Sequence, residues 1–145
     1  MPTEARAYLD TSALAKWYLN EAGSEAFVTF LQGLDSAVIS SLTQTEMRSL
    51  LSRRRRMGDL SAELESLLFA AFLDDIDRGC LQRYPFDDAR FAVSNLIARY
   101  PEQPLRTLDA LHLTLAAQAG IPMLATADAV MAETASLIGF AVERF

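Results

Sequence analysis

The sequence predicts an α/β fold, a parallel sheet covered on both faces by helices, and three observations lead there. Short apolar runs alternate with longer segments whose apolar residues recur at helical spacing. The chain has 145 residues, 51% hydrophobic and 22% charged, enough for one domain with a real core and too few for two comfortable ones. No repeat, linker or low-complexity segment interrupts it, so residues 1–145 read as a single domain.

The first strand is the apolar run Ala7 to Leu9, ended by Asp10. Thr11 and Ser12 lead into a helical pattern of Leu14, Trp17 and Tyr18. Asn20-Glu21-Ala22-Gly23-Ser24 breaks it, and helix resumes over Ala26 to Leu34 with Phe27, Phe30, Leu31 and Leu34. Ala37-Val38-Ile39 is the second strand, ended by Ser40-Ser41. Leu42 to Arg56 follow as a helix with Met47, Leu50 and Leu51 on one face. Gly58 stops it, and the preceding arginines suit the negative helix end. Leu60 to Asp77 form a long amphipathic helix ended by Gly79. Cys80 to Tyr84 read as a short edge-like strand closed by Pro85. Phe86 to Tyr100 carry Phe91, Val93, Leu96 and Ile97 at helical spacing, and Pro101 and Pro104 mark a loop. Thr107 to Ala119 are helix capped by Gly120, Ile121 to Ala125 a strand, Asp128 to Leu137 a helix, and Phe140 to Val142 a last strand.

Composition narrows the function classes. The formal net charge of −6 argues against a protein that coats itself in nucleic acid. It leaves room for an RNA-cutting enzyme, because acids gathered at a metal site inflate the count. Lys16 is the only lysine, and arginine is the better residue for fork-like phosphate contacts. Cys80 is alone, which excludes a disulfide within the chain and a cysteine-based zinc site, and it reads as a small core residue at a strand start. Met1 to Arg6 lack a basic region followed by an apolar stretch, and no run approaches transmembrane length, so a cytosolic protein is expected.

Four acids carry the functional question: Asp10, Glu46, Asp109 and Asp128, each at the start of an expected helix. Each has a local structural explanation. Asp10 and Asp128 suit N-caps, Thr43-Gln44-Thr45-Glu46 suits a capping box, and Asp109 suits the helix dipole two residues after Thr107. As a set they say more. Helix starts in a parallel sheet lie at the same edge as the carboxyl ends of the strands, where ligands bind. Ser or Thr stands beside each acid, which makes the acid partly redundant as a cap. Carboxylates gathered there repel unless a hard cation sits between them, and oxygen-only ligands fit Mg²⁺ or Mn²⁺ rather than zinc. Converging acids would make a divalent-metal enzyme acting on phosphate esters, with Thr11, Ser12 and Thr126 as hydrogen bonders at the site. Acids that do not converge would be caps.

Other features read more plainly. Arg53 to Arg56 point in almost every direction on a helix, which suits a solvated helix end or a contact to RNA or a partner. His112, the only histidine, shares a helix face with Asp109; a His–Asp general base is one reading, and the favoured one is a partly buried residue packed under the site, since a metal-activated water needs no histidine base. Asp74, Asp75 and Asp77 read as a solvated helix end, and Asp87-Asp88 as a helix start. Trp17, Tyr18, Phe27 and Phe30 read as core or interface.

Four segments resemble the motifs of PIN-domain ribonucleases. They are Tyr8-Leu9-Asp10-Thr11-Ser12-Ala13-Leu14, Thr45-Glu46-Met47, Leu105 to Leu113 and Thr126-Ala127-Asp128. The third is the most specific, and order and spacing fit across essentially the whole chain. The single-domain length is similar to that of VapC-type toxins of bacterial toxin–antitoxin pairs. The resemblance implies a three-layer α/β/α sandwich with a central parallel sheet. It implies Mg²⁺- or Mn²⁺-dependent endonucleolytic cleavage of RNA, a VapB-like antitoxin as partner, and a homodimer. It makes Asp10, Glu46, Asp109 and Asp128 the metal-binding acids, with Ser12 and Thr126 lesser residues of the site. Ala129-Val130-Met131 after Asp128 are less polar than in many relatives, which makes Asp128 the acid most open to an outer role. A receiver-like signalling module would need an acidic neighbour for Asp10 and a lysine late in the chain, and neither is present. A PIN fold kept only for interaction would not need all four acids.

Overall fold

The computed structural model describes residues 4–85 and 93–145. Its elements are β1 (Arg6–Leu9), α1 (Thr11–Tyr18), α2 (Ser24–Gln32), β2 (Ser36–Ser40), α3 (Ser41–Arg56) and α4 (Ala62–Asp77). Then come β3 (Gln82–Tyr84), α5 (Val93–Arg99), α6 (Thr107–Gln118), β4 (Met123–Thr126), α7 (Ala129–Ile138) and β5 (Ala141–Arg144). The expected Phe86 start of the fifth helix, with Phe91 and Asp87-Asp88, lies outside the described residues.

All strand pairings are parallel, in the order β3-β2-β1-β4-β5. Strand side chains alternate between two cores, as period-two geometry requires. Ala7, Leu9, Ala37, Ile39 and Ala125 face a cluster with Leu14, Phe27, Met47, Leu51 and Phe72. Tyr8, Val38 and Leu124 face a second cluster with Leu113, Ala116, Met131 and Ala135. Helices α1–α4 therefore cover one face and α6 and α7 the other, which is the expected α/β/α sandwich. The chain leaves the central β1 toward β2 and β3, then returns to β4 and β5 on the opposite flank. This reversal puts a crevice outside the carboxyl ends of β1 and β4, the usual ligand position in an open parallel sheet.

Several local expectations are corrected. Helix α3 begins earlier than Leu42. Ser40 caps it, accepting from Leu42 N at 3.2 Å, while Thr43 Oγ1 accepts from Ser40 N at 3.2 Å. The capping box is thus Ser40 with Thr43, and Glu46, in the second helical turn, caps nothing. The idea that hydroxyls spare Asp10 and Asp128 from capping also fails, because those two carboxylates are themselves the N-caps of α1 and α7. Cys80 is exposed, and Leu81 fills the core position beside it. Trp17 is 39% exposed, whereas Phe27 is buried. Asp75 is more than a solvated end, since it accepts from Tyr18 Oη at 2.6 Å. Arg54 pairs with Glu21 at 2.5 Å and Asp59 at 3.8 Å, and Arg55 pairs with Glu65 at 3.1 Å. These two arginines tie α3 to its neighbours, roughly 12 Å along the helix from Glu46 at the ordinary rise per residue.

Candidate metal centre

The four acids stand on different elements. The chain leaves β1 at Leu9, which is in register with Ala125 of β4. Asp10 continues that register by donating its N–H to Ala125 O at 2.9 Å, then turns the chain into α1. Asp10 is 6% exposed, and both its carboxylate oxygens are engaged. Oδ1 accepts from Thr11 N at 2.9 Å, and Oδ2 accepts from Ser12 Oγ and Thr126 Oγ1, both at 2.8 Å. Ser12 and Thr126 in turn accept from Ala127 N at 2.9 Å and Asp128 N at 3.0 Å. These hydroxyls therefore knit the end of β1 to the end of β4.

Asp128 caps α7, with Oδ1 accepting from Met131 N at 2.9 Å. Asp109 stands in the first turn of α6. Glu46 comes from the opposite layer, on α3. Its Oε1 accepts from Thr11 Oγ1 at 3.0 Å and from His112 Nε2 by a short hydrogen bond. His112 is fully buried, and its Nδ1 lies 2.5 Å from Tyr8 Oη. Among the described residues, no partner engages Glu46 Oε2 or Asp128 Oδ2. At these two acids one carboxylate oxygen is held by donors and the other has no partner among the described residues.

The charges of Asp10, Glu46 and His112 act on one another, and those of Asp10 and Asp128 reach Asp109. Burial pushes the Asp10 carboxyl above its ordinary value, and the Glu46 charge adds to this, against relief from His112, Thr126 and Ser12. Burial also raises Asp109, followed by the charges of Asp10 and Asp128. Burial pushes Glu46 upward too, but the hydrogen bond and charge of His112 outweigh it and hold Glu46 below its usual range. For His112 itself, burial pushes downward, while the Glu46 hydrogen bond and the charges of Glu46, Asp10 and Asp109 prevail and raise it.

Among the described residues, no three His, Cys, Asp or Glu side chains are arranged so as to hold a metal ion. Glu46 is drawn toward His112 and Asp10 toward hydroxyls, as repelling carboxylates are when donors are at hand. The residue types are nevertheless those a hard divalent cation takes: all four offer carboxylate oxygen, and Glu46 Oε2 and Asp128 Oδ2 have no partner among the described residues. Tyr8 and the Glu46–His112 link were missed at the sequence level. A lone buried histidine and a tyrosine in the middle of a central strand were the available signals, because each carries polar atoms that must find partners inside.

Comparison with known proteins gives consistent results. The PIN domain model matches residues 7–137. Ribonuclease VapC46 of Mycobacterium tuberculosis is 32% identical over 145 residues, spanning 95% of this chain and 96% of that protein. Among solved structures, M. tuberculosis VapC20, a sarcin-ricin-loop-cleaving toxin, superposes with a TM-score of 0.73 at 18% identity, covering 96% of this chain and 99% of that one. FitAcB from Neisseria gonorrhoeae superposes with a TM-score of 0.68 at 19% identity, covering 94% and 95%. At these identities the superpositions speak to the fold.

Proposed function

This chain belongs to the PIN-domain family, and on that premise we propose that it is an endoribonuclease, the toxin of a toxin–antitoxin pair, held in check by a VapB-like antitoxin. What best supports an RNA-cutting site is that Asp10 and the Thr126–Asp128 segment, at the carboxyl ends of β1 and β4, are joined through the Thr126 hydroxyl, with Glu46 of the opposite layer tied to Thr11 beside them. Asp10, Glu46, Asp109 and Asp128 would hold Mg²⁺ or Mn²⁺. A bound cation of this kind supplies Lewis acidity at the scissile phosphate and makes nearby water more acidic.

The chain's own residues do the rest. Asp10 is locked by a backbone N–H and two hydroxyls, so its carboxylate does not have to reorganise when charge arrives. Thr11 links the start of α1 to Glu46, which fixes the distance between acids of separate elements. Ser12 and Thr126 hold the two strand ends together beneath the substrate. Glu46 Oε2 and Asp128 Oδ2 are left to face the ligand. No helix among the described residues is long and apolar enough to cross a membrane, and RNA as substrate suits the cytoplasm.

The test mixes purified protein with structured RNAs, with Mn²⁺ or with EDTA. Cleavage should require the cation and disappear in Asp109→Asn. Cleavage that persists in EDTA, or in folded Asp109→Asn, would sink the proposal.

A further inference from the structure

The buried chain behind Glu46 has no share in the reading above. Tyr8 sits at the centre of the central strand, fully buried, with its hydroxyl against His112 Nδ1 at 2.5 Å. The two rings are tilted at 60° with centroids 5.6 Å apart, so the imidazole is packed as well as bonded. The far nitrogen, Nε2, meets Glu46 Oε1. The Tyr8 hydroxyl also interacts with Ser40 and Thr43, the capping pair that starts the helix carrying Glu46. The hydrogen-bonded path thus runs from β1 through α6 to α3. Three separate elements triangulate one carboxylate.

The direction of hydrogen bonding is set by what lies at each end. Glu46 as a carboxylate can only accept, so Nε2 must carry a proton. With neutral imidazole, Nδ1 accepts from Tyr8, whose oxygen can accept from the Ser40 or Thr43 hydroxyl. With imidazolium, Nδ1 donates to Tyr8, whose proton turns to those hydroxyls. In both states Nε2 donates to Glu46 Oε1, and Oε2 stays free of it. The arrangement does not depend on the charge of His112.

We propose that Tyr8 and His112 are positioning residues that hold the Glu46 carboxylate in the rotamer from which Oε2 can ligate a divalent cation. The inference rests on the nuclease reading and deepens it. Without the imidazole, Glu46 keeps only the Thr11 hydroxyl and is free to swing toward solvent, where it is already 23% exposed. Outer partners of this kind are worth about 10- to 100-fold in metal affinity.

The test titrates Mn²⁺ calorimetrically into the full chain without RNA, then measures turnover of one RNA substrate. Tyr8→Phe should weaken Mn²⁺ about tenfold and His112→Leu by up to about a hundredfold, while His112→Gln, which keeps an N–H at the Nε2 position, recovers most of the loss. In turnover at fixed Mn²⁺, kcat should fall and KM for RNA should stay, a split that general loosening would not give. Should His112→Leu fail to fold, Tyr8→Phe, which keeps the ring, decides alone. Wild type that binds no Mn²⁺ would overturn the nuclease reading and this inference together. Wild type that binds, with folded Tyr8→Phe and His112→Leu binding equally well, would overturn the positioning role alone.

Discussion

Thr126→Val tests whether the site's acids are held by the hydroxyls described above. Valine matches threonine in shape and removes only the buried hydroxyl. That hydroxyl donates to Asp10 Oδ2 at 2.8 Å and accepts from Asp128 N at 3.0 Å. A hydrogen bond to a charged group contributes about 1.5–3 kcal/mol and a neutral one about 1 kcal/mol. Ser12 still donates to the same Oδ2, so the low end applies, and the expected loss is about 2 kcal/mol. For a chain of this size that corresponds to a fall of about 4–8 °C in Tm. The assay is urea unfolding in metal-free buffer at pH 7.5. Its sign with pH follows from Asp10. Burial raises this carboxyl, so its ionised form costs stability that appears as pH rises through its folded-state pKa, and the Thr126 hydroxyl offsets part of that cost. The penalty of Thr126→Val should therefore be largest at neutral pH and shrink when Asp10 is protonated. It should likewise be smaller in an Asp10→Asn background, where the bond to residue 10 becomes a neutral one of about 1 kcal/mol. A loss below about 0.5 kcal/mol at pH 7.5, or one independent of residue 10, would refute the reasoning.

Three further outcomes follow. Asp10→Asn should abolish RNA cleavage while the metal-free protein unfolds at the same or higher urea than wild type, since burial and Glu46 both oppose the charge it removes; an unfolded variant would point to a purely structural cap. Asp109→Asn should raise metal-free Tm at pH 7.5, with the gain fading as pH falls through the raised pKa of Asp109, and thermal melts from pH 7.5 downward would check both the gain and its loss. Arg54→Ala breaks half-exposed pairs with Glu21 and Asp59, so it should cost about 1 kcal/mol or less in urea unfolding and leave RNA turnover unchanged; a large drop in turnover would return the arginine run to the substrate.

The sandwich could be read from the sequence because its central strands are short, wholly apolar stretches such as Ala37-Val38-Ile39, each followed by a strongly periodic helix. The edges were harder. β5 runs to Arg144, but its exposed residues after Val142 lack any apolar alternation, so it looked shorter than it is. Asp10, Asp109 and Asp128 stand where helix-start signals put them. Glu46 was placed in the right helix for the wrong reason, because Thr43-x-x-Glu46 imitates a capping box that Ser40 and Thr43 in fact form one turn earlier. Tyr8 was hidden by burial itself. A tyrosine in a central strand counts as one more apolar residue until the fold brings His112 to its hydroxyl, 104 positions away in the chain.

The double use of Asp10 and Asp128 as helix caps has a consequence for genetics. Under selection to silence the protein, inactivating alleles at these positions should divide into two kinds. Asparagine keeps the oxygen that starts the helix, so the product survives at normal abundance, and on the proposed function it continues to occupy its antitoxin. Alanine or valine removes the cap as well, at about 1 kcal/mol each, and lowers the amount of folded protein. The first kind of allele would behave as dominant, titrating antitoxin away from an intact copy, and the second as recessive. On the proposed function the same two residues would thus decide both whether the chain cuts RNA and how a broken copy of its gene behaves beside a working one.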